Sequence, residues 1–146
     1  MPFTLSCATE TDIPGLLRVW NSAFSTIGAI FPTTPAGEAY KQKCFEKWIR
    51  ELPQGCVFHV ITEDSEKGRK VVAYAIWYKY GTGEWHPDWR TRWEGELAEG
   101  MSLEKIEDAF FAPMARQHCA VMGERAHWCM LPSFFPFSNT SDNILR

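Results

Sequence analysis

Cys56-Val-Phe-His-Val-Ile-Thr62 and Val71-Val-Ala-Tyr-Ala-Ile-Trp-Tyr-Lys-Tyr80 are the two stretches that decide the fold. Both are rich in β-branched and aromatic residues, which suit a pleated surface, so both are expected to be strands. Between them Glu63 to Lys70 is short and charged and contains Gly68, which predicts an antiparallel hairpin. Val71 to Trp77 is apolar on both faces, the pattern of a central strand.

N-terminal to the hairpin, Phe3, Leu5 and Cys7 alternate with polar residues and predict a short first strand. A helix follows it. Thr9 or Thr11 can cap, Asp12 suits the positive end of the helix dipole, Pro14 fits the first turn, and Ile13, Leu16, Leu17, Trp20 and Phe24 recur at helical spacing. A second helix is expected from about Pro35 to Leu52. Its apolar face is Tyr40, Cys44, Phe45, Trp48, Ile49 and Leu52, with Lys41, Lys43, Glu46 and Lys47 elsewhere.

C-terminal to the hairpin, Gly81 to Gly100 reads as a loop-like insert. A helical stretch begins after Ser102 with Leu103, Ile106 and Phe110 on one side, and Pro113 predicts a break near Ala112 or a new helix there. Met114, His118, Val121 and Met122 continue the stripe, and Gly123 caps it. Ala126 to Leu131 is the last expected strand. Residues 1–131 thus form the domain, and 132–146 an irregular tail. The element order predicts an α+β fold, a mixed β-sheet with flanking helices. It leaves the final strand as an open edge.

The 146 residues, 45% hydrophobic and 23% charged, fit one globular domain. The net charge of −3 supplies no footprint for nucleic acid, and the basic run Lys67 to Lys70 reads as a solvated turn. No stretch approaches the ~20 apolar residues needed to cross a bilayer. The first residues have neither a basic n-region nor an apolar h-region, so no secretory signal is expected. Cys7, Cys44, Cys56, Cys119 and Cys129 are scattered and without a C-x-x-C pair; they read as reduced, buried thiols of a cytoplasmic protein.

Three segments carry a resemblance. Thr9-Glu10-Thr11-Asp12-Ile13-Pro14 after a first strand, Glu66 to Trp77 as a charged turn followed by Val-Val-Ala-Tyr-Ala-Ile-Trp, and Phe110 to Trp128 as a helix leading into a strand resemble, in that order, the GNAT (GCN5-related) N-acetyltransferases. The likeness covers about Phe3 to Leu131. Ala126, where relatives often have Pro, and the Trp-containing insert depart from it. The resemblance implies acetyl transfer from acetyl-CoA to an amine, small-molecule or peptide. It also implies an acceptor pocket shaped by Phe24 and Phe31, with His127 as a further substrate-side candidate.

It equally implies a Q/R-x-x-G-x-G/A loop directly after the fourth strand, whose backbone N–H groups and helix dipole hold the pyrophosphate. Pro132 to Asn143 contain no glycine, and Gly81-Thr82-Gly83 lies after the wrong strand and without the preceding Gln or Arg. The expectation is therefore an incomplete GNAT-like sheet, truncated before the cofactor loop, with no cofactor-binding residue and no assignable catalytic one. The alternative is a non-catalytic binding or interaction module whose open sheet edge pairs with another chain or with a copy of itself.

The remaining candidates are few. His127 and Cys129 share one face of a strand, and either could ligate a metal, but no third ligand stands at ligand spacing, so no metal is expected. His118 and Cys119 adjoin on a helix and face different ways. Trp85, Trp89 and Trp93 recur every fourth residue, as a satellite hydrophobic cluster or as an aromatic lid over a cation. G-x-S-x-G and H-E-x-x-H do not occur.

Overall fold

The structure, a computed structural model, describes residues 3–24, 32–52, 54–66, 68–83, 97–106 and 111–131. Strands β1 (Phe3–Cys7), β2 (Val57–Ser65), β3 (Gly68–Tyr80) and β4 (His127–Leu131) form one sheet in the order β1-β2-β3-β4, antiparallel throughout. A 3-10 turn, Glu10–Asp12, leads into α1 (Ile13–Ala23), and α2 (Pro35–Arg50) follows before the hairpin. The single turn α3 (Leu103–Ile106) and α4 (Ala112–Met122) lie between β3 and β4. The expected α+β class is the one found, but the sheet, expected to be mixed, is antiparallel among the described strands. β3 is central, and among the described residues β4 pairs with β3 alone.

The hairpin runs further than the hydrophobic pattern indicated. Glu63 faces Lys70 and Asp64 faces Arg69, so the charged residues expected in the turn extend the ladder as cross-strand pairs of opposite sign. Gly68, at φ 102°, accepts the backbone turn that closes it. Farther in, Ile61 faces Ala73 but Thr62 faces Val71, so Val72 has no opposite residue. This β-bulge keeps Val71 on the same face as Tyr74 and Ile76 although the sequence spacing changes by one.

The helices cover that face only. Ile13, Leu16 and Trp20 of α1, Cys44, Phe45 and Trp48 of α2, Ile106, and Phe111 and Ala115 around α4 share one core with Phe58, Val60, Val71 and Ile76. Phe45 stands at its centre, with Trp48 and Tyr74 edge-on at ring-centroid distances of 5.7 Å. The α1 backbone comes close to the sheet at Gly15, where a Cβ would sit 2.7 Å from the Val71 side chain. One turn on, Arg18 Nη2 donates to the Val71 carbonyl at 3.1 Å, beside the bulge.

Two buried polar groups lock the helices in place. Lys41, expected off the apolar face, is buried, and its Nζ donates to Asn21 Oδ1 at 2.7 Å and to Glu38 Oε1. Asn21 Nδ2 in turn donates to both Glu38 oxygens, at 3.0 and 3.1 Å, so one closed network joins α1 to α2. The sequence pattern missed it because a lysine reads as solvent-facing until its charge has a partner. Asp12, 2% exposed, accepts from the Thr9 amide and from the Thr9 hydroxyl, each at 2.9 Å, and pairs with Arg69 Nη1 from the hairpin.

A second correction concerns β1. Cys7, expected to be a buried thiol, is exposed, and on the same face Phe3 and Leu5 are 68% and 64% exposed. The register puts Thr4 and Ser6 on the helix-covered side instead, opposite Thr62 and Val60. There Ser6 Oγ accepts from Arg69 Nη2 at 3.3 Å, so polar contacts close this corner of the molecule.

Thr62 is fully buried, and among the described residues its Oγ1 has no hydrogen-bond partner. Thr62→Val is expected to raise stability by about 1 kcal/mol, read as a higher urea midpoint at unchanged slope.

Burial by itself raises the Asp12 pKa, but the Thr9 amide and hydroxyl and the Arg69 guanidinium outweigh it and hold the carboxyl below its ordinary value. A lowered folded-state pKa stabilises the fold above the unfolded value of about 3.9 and loses that contribution as pH falls through the folded value. Asp12→Ala is expected to cost about 2 kcal/mol at neutral pH, chiefly the lost cap, since Arg69 is partly solvated. The gap from the parent protein should narrow as denaturation curves are taken below that pH.

Candidate functional site

Between α4 and β4 the chain reverses in four residues. Gly123, at φ 54°, ends the helix with its N–H on the Cys119 carbonyl at 3.0 Å. Arg125 then returns its amide and its Nε to the Met122 carbonyl, at 3.2 and 3.0 Å, which satisfies the helix end. Gly83 N–H donates to the Glu124 carbonyl at 3.0 Å, so the Gly81-Thr82-Gly83 loop is the brace of this turn. A reversal this tight folds β4 back alongside α4, and residues nine apart in sequence meet.

His118 and His127 are that pair. The register of β4 on β3 places His127 beside Tyr80 and Cys129 beside Tyr78, all on the helix-covered face. α4 lowers His118 onto them from above. His118 Nε2 lies 2.6 Å from His127 Nε2, and the Cys129 sulfur lies 3.9 Å from His118 Nδ1. His127 Nδ1 is 2.6 Å from the Arg125 carbonyl. Buried Tyr80 forms the inner wall, its ring centroid 5.2 Å from His127 and 6.3 Å from His118.

The fixed acceptor at one end assigns the protons. A carbonyl only accepts, so His127 Nδ1 carries hydrogen, and neutral His127 must accept at Nε2. His118 therefore donates from Nε2 and accepts at Nδ1, the nitrogen that faces the thiol. With His127 neutral the line runs from His118 to His127 and ends on the Arg125 carbonyl, and the Cys129 S–H has two acceptors within reach, His118 Nδ1 at 3.9 Å and the Met130 carbonyl at 3.8 Å. All three side chains are half-buried, neither sealed off nor fully bathed in water.

This arrangement suits proton movement. His118 turns its two nitrogens to two different partners, so the three side chains do not converge on one point, and among the described residues no group of three potential ligands does. The expected absence of a third ligand beside His127 and Cys129 rested on sequence distance. A third side chain stands there, but in a chain and not in a shell.

Of the acceptor-side candidates, Phe24 ends α1 stacked on Trp20 at 4.1 Å and packs against the core, while His127 belongs to the α4–β4 corner; they have separate neighbours. Phe31 and the tryptophans Trp85, Trp89 and Trp93 lie outside the described residues. A further concavity of about 400 Å³ lies along α1 and the bulge, lined by Arg18, Ser22 and Lys70 among others, where Arg18 is committed to the Val71 carbonyl.

His118 is the residue that sequence reasoning passed over. Its partners lie across the turn and not beside it in sequence. The expected stripe of Met114, His118, Val121 and Met122 is also rotated: Met114 and Val121 are exposed, and Phe111 and Ala115 are the buried contacts. Ala115 is a small buried contact, which a pattern scored by hydrophobic bulk undervalues. Compared with known proteins, the chain matches no family model, no curated protein and no solved structure.

Proposed function

We propose that this chain is a GNAT-like N-acetyltransferase homologue that presents the acceptor side of the domain and does not hold acetyl-CoA by itself. One observation carries this reading. The fourth strand in sequence, β4, is a sheet edge among the described residues, entered from a helix and antiparallel to β3. That is the strand whose backbone, in the resembled family, meets the pantetheine arm and the thioester carbonyl. The first strand, the two helices, the hairpin and the helix before β4 stand in the order that the resemblance implies.

The glycine-free segment that follows Leu131 supports the second half of the proposal, because glycines are what allow a backbone to approach a pyrophosphate. The acceptor is an amine, for which the resemblance offers Phe24, Phe31 and His127 as candidate side chains; Phe24 and His127 stand among separate neighbours. A cytoplasmic location belongs to the same proposal; it is supported by five cysteines that are all thiols. Among the described residues no helix is long and apolar enough to cross a membrane.

A second reading has an observation of its own. The sheet face away from the helices carries Phe3, Leu5, Ile61, Trp77, Trp128 and Met130, all exposed, with Trp77 opposite Met130 and Leu5 opposite Ile61. An apolar face beside an open edge is what strand addition between two copies of the chain would use.

Titration of acetyl-CoA into the protein by calorimetry is expected to give no heat of binding, and micromolar affinity would refute the cofactor half of the proposal. Replacing the residues after Leu131 with the loop, helix and strand of an intact GNAT domain is expected to create acetyl-CoA binding. A folded chimera that binds none counts against the family reading itself.

For the interaction reading, light scattering should show a dimer that Trp128→Lys or Met130→Lys returns to monomer. A well-folded parent chain that stays monomeric at high concentration removes it.

A further inference from the structure

We propose that Cys129 is a nucleophilic thiol, activated through His118 and His127, that accepts an acyl group from an acyl thioester. The choice of a thioester as donor rests on the acetyltransferase reading; the activation of the thiol rests on the relay alone.

The geometry supplies both a base and a place to store the proton. The Cys129 sulfur faces His118 Nδ1, the accepting nitrogen of that ring, at 3.9 Å. The thiol also donates to the Met130 carbonyl, at 3.8 Å, so the transfer begins with rotation of the S–H from that carbonyl to His118 Nδ1. Catalytic contacts of this kind are commonly long before substrate arrives and shorten in the reacting complex. When the thiol proton passes to His118 Nδ1, the Nε2 proton of His118 can pass across 2.6 Å to His127 Nε2. His118 ends neutral in its other tautomer, and the positive charge rests on His127, whose Nδ1–H is held by the Arg125 carbonyl. The ion pair formed is thus Cys129 thiolate and His127 imidazolium, separated by a neutral ring. A thiol paired with histidine is the usual way to a reactive cysteine.

The step balances as a transthioesterification. The Cys129 thiolate attacks the acyl carbon, the new S–C bond forms, and the bond from that carbon to the leaving sulfur breaks. The leaving thiolate takes the proton back through His118, and both histidines return to their starting forms. No oxidant or reductant is involved. The acyl group then sits as a thioester on β4, on the acceptor side of the domain, where an amine can attack it.

The other cysteines provide the scale. Cys44 is buried and its thiol is pushed up to about 11, and burial pushes Cys56 up to about 12, so both should alkylate slowly, while exposed Cys7 serves as the accessible reference.

With iodoacetamide near neutral pH, and peptide mass spectrometry of the whole chain, Cys129 is expected to be modified about tenfold faster than Cys7. His118→Gln should bring it down to the rate of Cys7 or below while leaving Cys7 unchanged, and His127→Gln should lower it by a smaller factor. Slow labelling of Cys44 certifies that a variant is folded; the comparison of Cys129 with Cys7 in the parent protein needs no variant. A Cys129 no faster than Cys7, or one indifferent to His118→Gln in a folded variant, overturns the activation.

Incubation with acetyl-CoA and, separately, with a short acetyl thioester lacking the nucleotide is then expected to leave an S-acetyl adduct on Cys129, at least from the short donor, and none in Cys129→Ser. Fast alkylation with no adduct from either donor overturns the thioester as substrate. An adduct from the short donor alone supports the proposal and agrees with the absence of a nucleotide grip.

Discussion

The extra residue at Val72 is the constraint on which the rest of the sheet depends. Without it the residues on either side of position 72 would change faces, and Val71 would point away from the helices while Tyr74 and Ile76 pointed toward them. The bulge brings both ends of β3 to bear on one core. It also fixes where α1 can lie. Gly15 permits the close approach over Val71, and Arg18 takes up the carbonyl there, so helix and bulge hold each other in position. From that anchor β3 runs on to Tyr80, at the opposite end of the strand, where the histidines and the thiol are gathered.

That distance along β3 separates two kinds of chemistry. At the bulge end, buried Asp12 and Arg69 close the corner between the first helical turn and the hairpin, and their charges are spent on each other and on Thr9. At the Tyr80 end the polar groups are half-buried and arranged in series, so their protons can move. The first set behaves as a fastening: every partner is fixed, and the folded state keeps the carboxylate charged. The second set has two proton arrangements that differ by a shift along the line and leave the heavy atoms in place.

Much of the fold was legible in the sequence because it is written in period and punctuation. The strands of the hairpin, the first helix with its Thr-Asp start, the helix from Pro35 and the restart at Pro113 all follow from alternation, helical spacing and the positions of Pro and Gly. What the sequence concealed depends on partners far along the chain. Lys41 looks like a surface residue until Asn21 and Glu38 surround it, and Cys7 reads as a buried thiol until the register turns it outward with Phe3 and Leu5. His118 belongs to the same class. Nothing at position 118 announces a proton relay; the four-residue reversal through Gly123 and Arg125 creates it. The residue pattern of Ala126 to Leu131 located the last strand but could not see across that reversal.

The exposed apolar face of β1 bears on how the chain is made. β1 is held by partners some sixty positions away, such as Asp64 for Thr4, whereas the hairpin and the α4–β4 corner close over a handful of residues. Local contacts form early and distant ones wait for the chain to supply them. During synthesis Phe3 and Leu5 therefore leave the ribosome well before β2, and they stay uncovered even after it arrives. A nascent chain of this design offers one persistent sticky strand to whatever meets it first, which makes its earliest minutes the time when chaperone, sister chain or aggregate compete for the same surface.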